Sequence, residues 1–383
     1  MENETKRVSE GKLLYDPLYA KKPDVKITDD PTKGFFGKAI VKKTAFIILL
    51  ICFVSLSLFF SFNSISKDLF SFVPSSTAQD GTQTYMLDEY HGGNRNFLTV
   101  DFVRGEDNVP DESKPVSEVR RFAVCCDEAV NLIFIGKDVT RIDSKGFYTC
   151  KNLYAVLVDE ENENYVSLDG VLYAAEDGVP TELVLYPNLN GEYRTALAMG
   201  VAAPQDETQT AAFKEAIAAL QNADKTVADE NGELTRNEFD VKFDAVGAAY
   251  VIEPTVTAVG ELAFANTENL KDVTVPENLK TIGNLAFFKC HALQQICLPD
   301  GLVSIGSDAF TECRNAPDIF IPASVESIGH HAFHKCDGVS VVRMECSEEE
   351  AENMELGQMW LPQQRKVLMT DIEVSYNETR EVQ

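Results

Sequence analysis

A 23-residue internal repeat is the feature that most constrains how this chain can fold. The segments TAVGELAF, KTIGNLAF, VSIGSDAF and ESIGHHAF align without gaps. Aligned columns hold glycine (Gly260, Gly283, Gly306, Gly329), phenylalanine (Phe264, Phe287, Phe310, Phe333), proline (Pro276, Pro299, Pro322) and cysteine (Cys290, Cys313, Cys336). A fixed period of this length indicates a repeat fold, in which each unit packs against its sequence neighbours.

Each copy also predicts one short strand. The pattern Leu270, Val273, Val275 recurs as Leu293, Ile296, Leu298 in the next copy. One such unit cannot bury its apolar side alone, whereas stacked units share a continuous core. The expected fold is therefore an α/β repeat solenoid whose strands form one parallel sheet, with neighbours about 4.8 Å apart.

Two weaker copies precede the clear ones. The segment VTRIDSKGFYTCKNLYAVLV keeps the apolar offsets but has Asp143 in place of the glycine, and a degenerate copy before it lacks both glycine and phenylalanine. Between the two repeat blocks lies a polar segment, residues 204–248, which we interpret as a helical insertion. A helix is predicted over 211–220, because Phe213, Ile217 and Leu220 would share one face.

An apolar run near the N-terminus predicts a membrane anchor. Residues 44–62 carry no charge, and as a helix they would span about 28 Å. Three lysines precede the run closely and one follows it, which places the N-terminus in the cytoplasm. We predict a disordered cytoplasmic tail at 1–43, an uncleaved transmembrane signal anchor at 44–64 and a linker at 65–84. A cleaved signal peptide is the competing interpretation, but 43 residues are a long leader.

The charge of the chain excludes one class of partner. With 61 acidic and 34 basic residues the formal net charge is -27. Such a field repels the phosphates of nucleic acid. We therefore expect no nucleic-acid binding.

The aligned columns resemble the BspA-type leucine-rich-repeat family, whose units read roughly Ile-Gly-x-x-Ala-Phe-x-x-Cys followed by a Leu-x-x-Ile-x-Ile-Pro strand. The resemblance covers most of residues 115–345. It includes NYVSLDGVLYAAEDGVPTELVLYP, where the family often has a hairpin, so that 171–173 would pair with 183–186. It implies an N-terminal cap, first leucine-rich repeats and hairpin at 85–203, four 23-residue repeats at 249–345 and a C-terminal cap at 346–383. It also implies a cell-surface protein associated with adhesion.

Outward positions of the predicted strands are the candidate binding site, because side chains of successive turns align there. One column runs Thr274, Cys297, Phe320, Arg343, and its neighbour runs Asp272, Gln295, Asp318, Val341. From these we select Thr274, Phe320, Arg343, Asp272, Gln295 and Asp318 as binding residues. Aromatic and arginine side chains are frequent anchors of protein interfaces, although the columns are equally compatible with an unselected surface.

Three other features have both a functional and a structural interpretation. Asp229, Asn231, Gly232 and Glu238 match late positions of an EF-hand calcium loop, but position one is Val227, and an Asn-Gly turn explains the same residues. His330, His331 and His334 are close in sequence, yet their repeat positions are variable in the other copies. The cysteines of the repeat column are interpreted as small buried apolar groups. We predict no metal site and no cofactor.

Three functions are compatible with these features. The first is a membrane-anchored extracellular module that binds a protein or glycan, with adhesion as its role. The second is a structural or sensory envelope protein that docks a membrane partner and signals through its tail. The third, an enzyme with its site in the insertion, is not expected because no catalytic motif is present.

Overall fold

The computed structural model describes residues 69–78, 80–92, 95–105, 108–124, 128–148, 150–316, 318–361 and 373–379. The chain divides into two units, Met1–Ser66 and Lys67–Gln383, and every described residue belongs to the second. Within the described ranges, no helix has the length and apolar character needed to cross a bilayer. The tail at 1–43 and the transmembrane helix at 44–64 lie outside the described residues and stay predictions.

Each C-terminal repeat contains two short strands, where the sequence predicted one. The strands at the predicted position, here called the first ladder, are Ala249–Val251, Asp272–Thr274, Gln295–Ile296, Ile319–Ile321, Val341–Met344 and Glu373–Ser375. The additional strands, here called the second ladder, are Ala258–Val259, Thr281–Ile282, Ser304–Ile305, Ser327–Ile328 and Glu355–Leu356. Every pairing between strands of the same ladder is parallel.

The first ladder is not the single sheet that the repeat predicts. It forms two three-stranded sheets, and in the part of the chain that is described no pairing joins Gln295–Ile296 to Ile319–Ile321. A cavity of about 20 Å³, lined by Ile296, Ile319 and Phe320 among others, lies at this break. The second ladder is continuous and extends through the hairpin into an eight-stranded sheet.

The phenylalanine column forms the centre of the core. The rings of Phe264, Phe287, Phe310 and Phe333 stack with centroids 4.8, 5.0 and 5.2 Å apart and planes within 8° of parallel. All four side chains are buried. The fixed period of the sequence thus becomes a continuous aromatic stack, which supplies apolar burial to every turn.

The cysteine column lies beside this stack as a row of hydrogen-bond donors. The thiols of Cys290, Cys313 and Cys336 each donate to the carbonyl oxygen of the phenylalanine one turn earlier, at 3.1 Å. Thr267 occupies the equivalent position in the first copy, but its hydroxyl donates within its own turn, to the Phe264 carbonyl at 2.8 Å. Burial raises the pKa of Cys336 to about 12 and also raises that of Cys313. Their predicted burial is confirmed, but they are hydrogen-bond donors and not merely apolar groups.

Close stacking explains the glycine column. A Cβ atom on Gly306 would lie 2.5 Å from the backbone nitrogen of Asn284 in the preceding turn, so no larger residue fits without a backbone shift. Left-handed backbone occurs at other residues, including Lys289, Glu312 and Lys335. Such a conformation costs about 1–2 kcal/mol per residue.

The N-terminal block begins with a mixed sheet formed by Phe70–Thr77, Gln83–Tyr90, Pro110–Val119, Phe102–Arg104 and Arg141–Ile142. The predicted linker at 65–84 is wrong over most of its described part, because Phe70–Thr77 pairs antiparallel with Gln83–Tyr90. A second, parallel sheet contains Phe97–Val100, Leu132–Ile135 and Ala155–Val158.

The hairpin connects the two blocks. Val171–Glu176 pairs with Val179–Leu185 and with Tyr165–Leu168. Leu172 lies opposite Leu185 and Tyr173 opposite Leu183, so the predicted pairing is confirmed. Val179–Leu185 also pairs in parallel with Ala258–Val259, the first strand of the second ladder. The repeat stack therefore continues directly from the hairpin, and the residues between are looped out.

The looped-out residues form a helical segment that begins earlier than the predicted insertion. It contains the helices Asn190–Ala198, Glu207–Gln221 and Glu238–Lys242, the hairpin strands Val227–Ala228 and Leu234–Arg236, and the π-helix Phe243–Gly247. The helix predicted over 211–220 is present and longer. It starts at an Asp206 cap, whose carboxylate accepts from the Gln209 amide at 2.7 Å. A further short helix, Glu348–Ala351, is closed by a Ser347–Glu350 capping box.

Candidate functional site

The predicted binding residues lie on the first ladder and at its edge. Asp272 and Gln295 are paired neighbours, as are Phe320 and Arg343. Thr274 belongs to the same strand as Asp272, and Asp318 immediately precedes Ile319–Ile321. The first ladder is broken between Gln295–Ile296 and Ile319–Ile321. The six residues therefore form two separate groups, 272–295 and 318–343, instead of one row.

Solvent exposure differs along the first predicted column, which runs Thr274, Cys297, Phe320, Arg343. Thr274 and Cys297 are exposed, Phe320 is half-buried, and the Arg343 side chain is 43% exposed. Val251 pairs with Thr274 and is 64% exposed, so it extends the column by one turn. The sequence interpretation missed Val251, although the 23-residue spacing backwards from Thr274 points to it.

An ion pair joins the two predicted columns. The guanidinium of Arg343 lies 3.2 Å from the Asp318 carboxylate. The same carboxylate accepts from the backbone amides of Ser340 and Val341 and from the Ser340 hydroxyl. Partial burial raises the pKa of Asp318, but these hydrogen bonds and Arg343 outweigh it and leave the pKa below its usual value. Asp318 is therefore charged and fixes the Arg343 side chain on the face.

Equivalent outward positions of the N-terminal block are covered by the helical segment. Ala155 and Leu157 occupy the repeat positions of Asp272 and Thr274, since VLV of one copy aligns with VTV of the other. Ala155 is completely buried, in one cluster with Tyr193, Phe213 and Ile217 of the helices. The sequence interpretation missed this contact. The apolar character of Ala155 and Leu157, against Asp272 and Thr274, is the signal that indicates it.

The outward residues thus differ between the strands that the helices cover and the strands that they do not cover. Under the helices the outward residues are apolar, with Leu132 and Ala155 fully buried. On the C-terminal block they combine charged, hydroxyl and apolar side chains that reach solvent. This uncovered part of the first ladder, from Val251 to Arg343, is called the open strand face below.

The EF-hand-like loop is a hairpin turn. The Asp229 carboxylate accepts from the amides of Asn231 and Glu233, at 2.8 and 3.0 Å, and these backbone hydrogen bonds lower its pKa. Gly232 has φ +82°, as the turn requires. Val227 belongs to a strand, and Glu238 starts the next helix. Among the residues with described positions, no group of three His, Cys, Asp or Glu side chains is arranged to hold a metal ion.

The three histidines make different contacts. His330 Nδ1 accepts from the Gln358 amide at 2.8 Å. His331 lies 3.9 Å from the Asp308 carboxylate, and its ring centroid is 5.3 Å from that of His334. His330 thus joins the last repeat to the segment that follows it.

The C-terminal repeats match a known protein family. Residues 248–354 match the model of the BspA type leucine rich repeat region, in six copies. A search of curated proteins found no significant match.

Solved structures of bacterial proteins are similar in part. A leucine rich cell surface protein from Faecalibacterium prausnitzii is 17% identical, with 74% of this chain and 60% of that chain covered and a TM-score of 0.42. A leucine-rich repeat protein from Eubacterium ventriosum is 17% identical, with 72% and 65% covered and a TM-score of 0.38. The pneumococcal vaccine antigen PcpA is 15% identical, with 72% and 81% covered and a TM-score of 0.34.

This chain spans less than two thirds of the length of the first two of these proteins. Identities and scores of this size carry no functional assignment. The family model, in contrast, matches the same glycine, phenylalanine and cysteine columns that form the core. Residues 248–354 of this chain therefore belong to the BspA-type leucine-rich-repeat family.

Proposed function

We propose that this protein is a binding module of the cell surface, which holds its open strand face outside the cell to bind a protein or glycan in adhesion. In this proposal the stacked turns form a solenoid, and residues 44–64 anchor it in the membrane with the N-terminus in the cytoplasm. The cell-surface location accords with that of the similar leucine rich cell surface protein of Faecalibacterium prausnitzii.

One observation carries the proposal. Helices of the chain cover the outward columns of its N-terminal block, and no described residue covers the equivalent columns of its C-terminal block in the same way. Val251 is 64% exposed there, and Phe320 is half-buried beside the ion-paired Arg343. Apolar side chains with a fixed arginine are typical anchors of a protein interface.

Charge favours a partner with cationic groups. The chain carries a net charge of -27, and Asp272 adds a carboxylate to the face itself. Complementary charge accelerates association and excludes acidic competitors. We expect no catalysis, because the sequence contains no recognisable catalytic motif.

A binding screen tests this function. The full chain in detergent micelles is applied to immobilised fibronectin, fibrinogen, collagen and mucin glycans. The variant Val251→Asp with Arg343→Ala should bind the recognised probe at least about tenfold more weakly. The matched control, Val179→Asp with Lys280→Ala, makes the same change of charge at another exposed valine, 47% against 64% for Val251, and at a lysine off the face.

Unchanged binding by the face variant, or equal loss in the control, would assign the recognition to another surface. Deleting residues 1–43 separates the structural or sensory alternative. Adhesion survives that deletion, whereas signalling through the tail does not.

A further inference from the structure

Cationic side chains converge on one carboxylate in the middle of the C-terminal repeats. The Lys335 ammonium lies 3.0 Å from Glu312 Oε1, and Arg314 Nη2 lies 3.2 Å from Glu312 Oε2. His291 Nε2 is 3.8 Å from the same oxygen. Lys335 lowers the pKa of Glu312 most, burial opposes this, and Arg314 and Lys289 lower it further. These five residues are called the Glu312 cluster.

The backbone fixes the cluster. Lys289, Glu312 and Lys335 occupy the same repeat position in successive turns, all in left-handed conformation with φ of 61°, 66° and 57°. The Lys289 amide donates to the Thr311 carbonyl, and the Glu312 amide to the His334 carbonyl, at 2.9 and 2.8 Å. Side chains of the three turns therefore leave a rigid backbone in register, so little ordering is needed for them to act together.

The carboxylate lies beneath the cations. The Glu312 side chain is 14% exposed, whereas those of Arg314 and Lys335 are 44% and 46% exposed and that of His291 is 33% exposed. A guanidinium has five N–H donors and an ammonium three, and the contacts with Glu312 use only part of them. Because nearly half of the Arg314 and Lys335 side chains is exposed, their unused donors can bind a group from solvent.

The positive charge is local. Lys289, Arg314 and Lys335 against one carboxylate leave two excess positive charges in a chain of net charge -27. Glu268 and Asp337 occupy the repeat position of His291 and Arg314 in the turns before and after. Acidic residues thus limit the patch at both ends, which suits one compact anion and disfavours a long polyanion.

We infer that the Glu312 cluster binds a single sulfate or phosphate ester group carried by a glycan. Arginine and lysine donors match the oxygens of such an ester. The half-buried ring of Phe288, which lies 5.0 Å from the Lys289 ammonium, provides an adjacent apolar surface for the sugar ring. None of these residues belongs to the open strand face, so either site can fail without the other.

Binding of defined probes tests the inference. The full chain in detergent micelles is titrated by biolayer interferometry onto polyacrylamide that carries galactose 6-sulfate, glucose 6-phosphate or unsubstituted galactose. An ester probe should bind at least about tenfold more tightly than the unsubstituted polymer and weaken between about 50 and about 300 mM NaCl. Equal binding of all three polymers would overturn the inference.

Variants locate the site. Arg314→Ala with Lys335→Ala should weaken ester binding about tenfold or more, whereas Lys214→Ala with Lys280→Ala removes the same charge elsewhere and should leave it unchanged. Glu312→Gln should bind as tightly as the unchanged protein or more tightly, because a repulsive charge is removed. Equal weakening by both double variants would show a general field effect and contradict the site. A phosphoserine peptide that binds more tightly than both glycan esters would contradict the glycan as carrier.

Discussion

The guanidinium of Arg194 lies over the ring of Tyr250, 5.1 Å from its centroid. Arg194 belongs to the first helix of the helical segment, and Tyr250 to the first strand of the C-terminal block. The guanidinium also donates to the carbonyl oxygens of Val246 and Ala249, both at 2.8 Å. One side chain therefore attaches the helical cover to the start of the open strand face.

Replacing Arg194 should destabilise this junction. Arg194→Met keeps the aliphatic stem but leaves the carbonyls of Val246 and Ala249 without this donor, so we expect a loss of about 3 kcal/mol in the free energy of unfolding. Arg194→Lys should recover only part of it, because an ammonium does not reproduce the guanidinium geometry. Urea unfolding measures both, with Lys280→Ala as a surface control. A loss below about 0.5 kcal/mol in Arg194→Met would contradict the role.

Glu192 predicts a pH dependence of stability at the same junction. Its side chain is buried, one oxygen accepts from Asn269 at 3.0 Å, and within the described part of the chain the other has no hydrogen-bond partner. Burial raises the pKa of Glu192, against smaller opposing effects of its backbone, Asn269 and Arg194. Because the pKa of Glu192 is higher in the folded than in the unfolded protein, the protonated form of Glu192 favours folding. This contribution to stability is complete below the unfolded pKa of about 4.3 and is lost as pH rises through the folded pKa.

Glu192→Gln removes this dependence while it keeps an acceptor for Asn269. Compared with the variant, the unchanged protein should therefore lose stability as the pH rises above the unfolded pKa of about 4.3. Urea unfolding of both proteins at several pH values measures the difference. A difference that moves in the opposite direction would show that Glu192 is stabilised as a charged group.

The cysteine column predicts which substitutions the core accepts. Thr267 donates to the carbonyl of Phe264 in its own turn, so Cys313→Thr should keep a buried donor, directed at the Phe310 carbonyl in place of the Phe287 carbonyl, and we expect a change below about 1 kcal/mol. Cys313→Val has a similar volume but no donor, and it should be about 1 kcal/mol less stable than the threonine variant. Thermal and urea unfolding compare the two. If valine is the more stable, the thiol acts by packing alone.

Glycine in the stacked turns should be irreplaceable for steric reasons. Gly306→Ala places a Cβ atom 2.5 Å from the Asn284 nitrogen, and we expect a loss of about 3 kcal/mol. Gly178→Ala is the matched control, since its Cβ would meet no atom within 4 Å and only its φ of +76° is unfavourable, which costs about 1 kcal/mol. Equal losses in the two variants, measured by urea unfolding, would assign the effect to backbone conformation.

The proposed binding site was only partly predictable from sequence. The period located the columns of Thr274 and Asp272, because residues one period apart occupy the same place in successive turns. The contact between Asp318 and Arg343, 25 residues apart, is not periodic and required the structure. So did the break between Ile296 and Ile319, which divides the predicted row.

Sequence periodicity by itself determined the repeat and its phenylalanine core, and the resemblance to the family implied the hairpin that continues it. Periodicity reports burial, and burial in a repeat fold is set by neighbours in sequence, so one chain contains enough information. The helix with Phe213 and Ile217 on one face was also predictable, because that pattern is local.

Tertiary structure alone decided where that helix packs and which strands pair outside the period. Ala155 and Phe213 are distant in sequence, and a local apolar face does not specify its partner surface. The two-residue strands of the second ladder are too short to show alternation, and Phe70–Thr77 resembled a linker because its Pro, Ser and Thr become a strand only by pairing with Gln83–Tyr90. The open strand face follows from such long-range contacts, which cover one block and leave the other accessible.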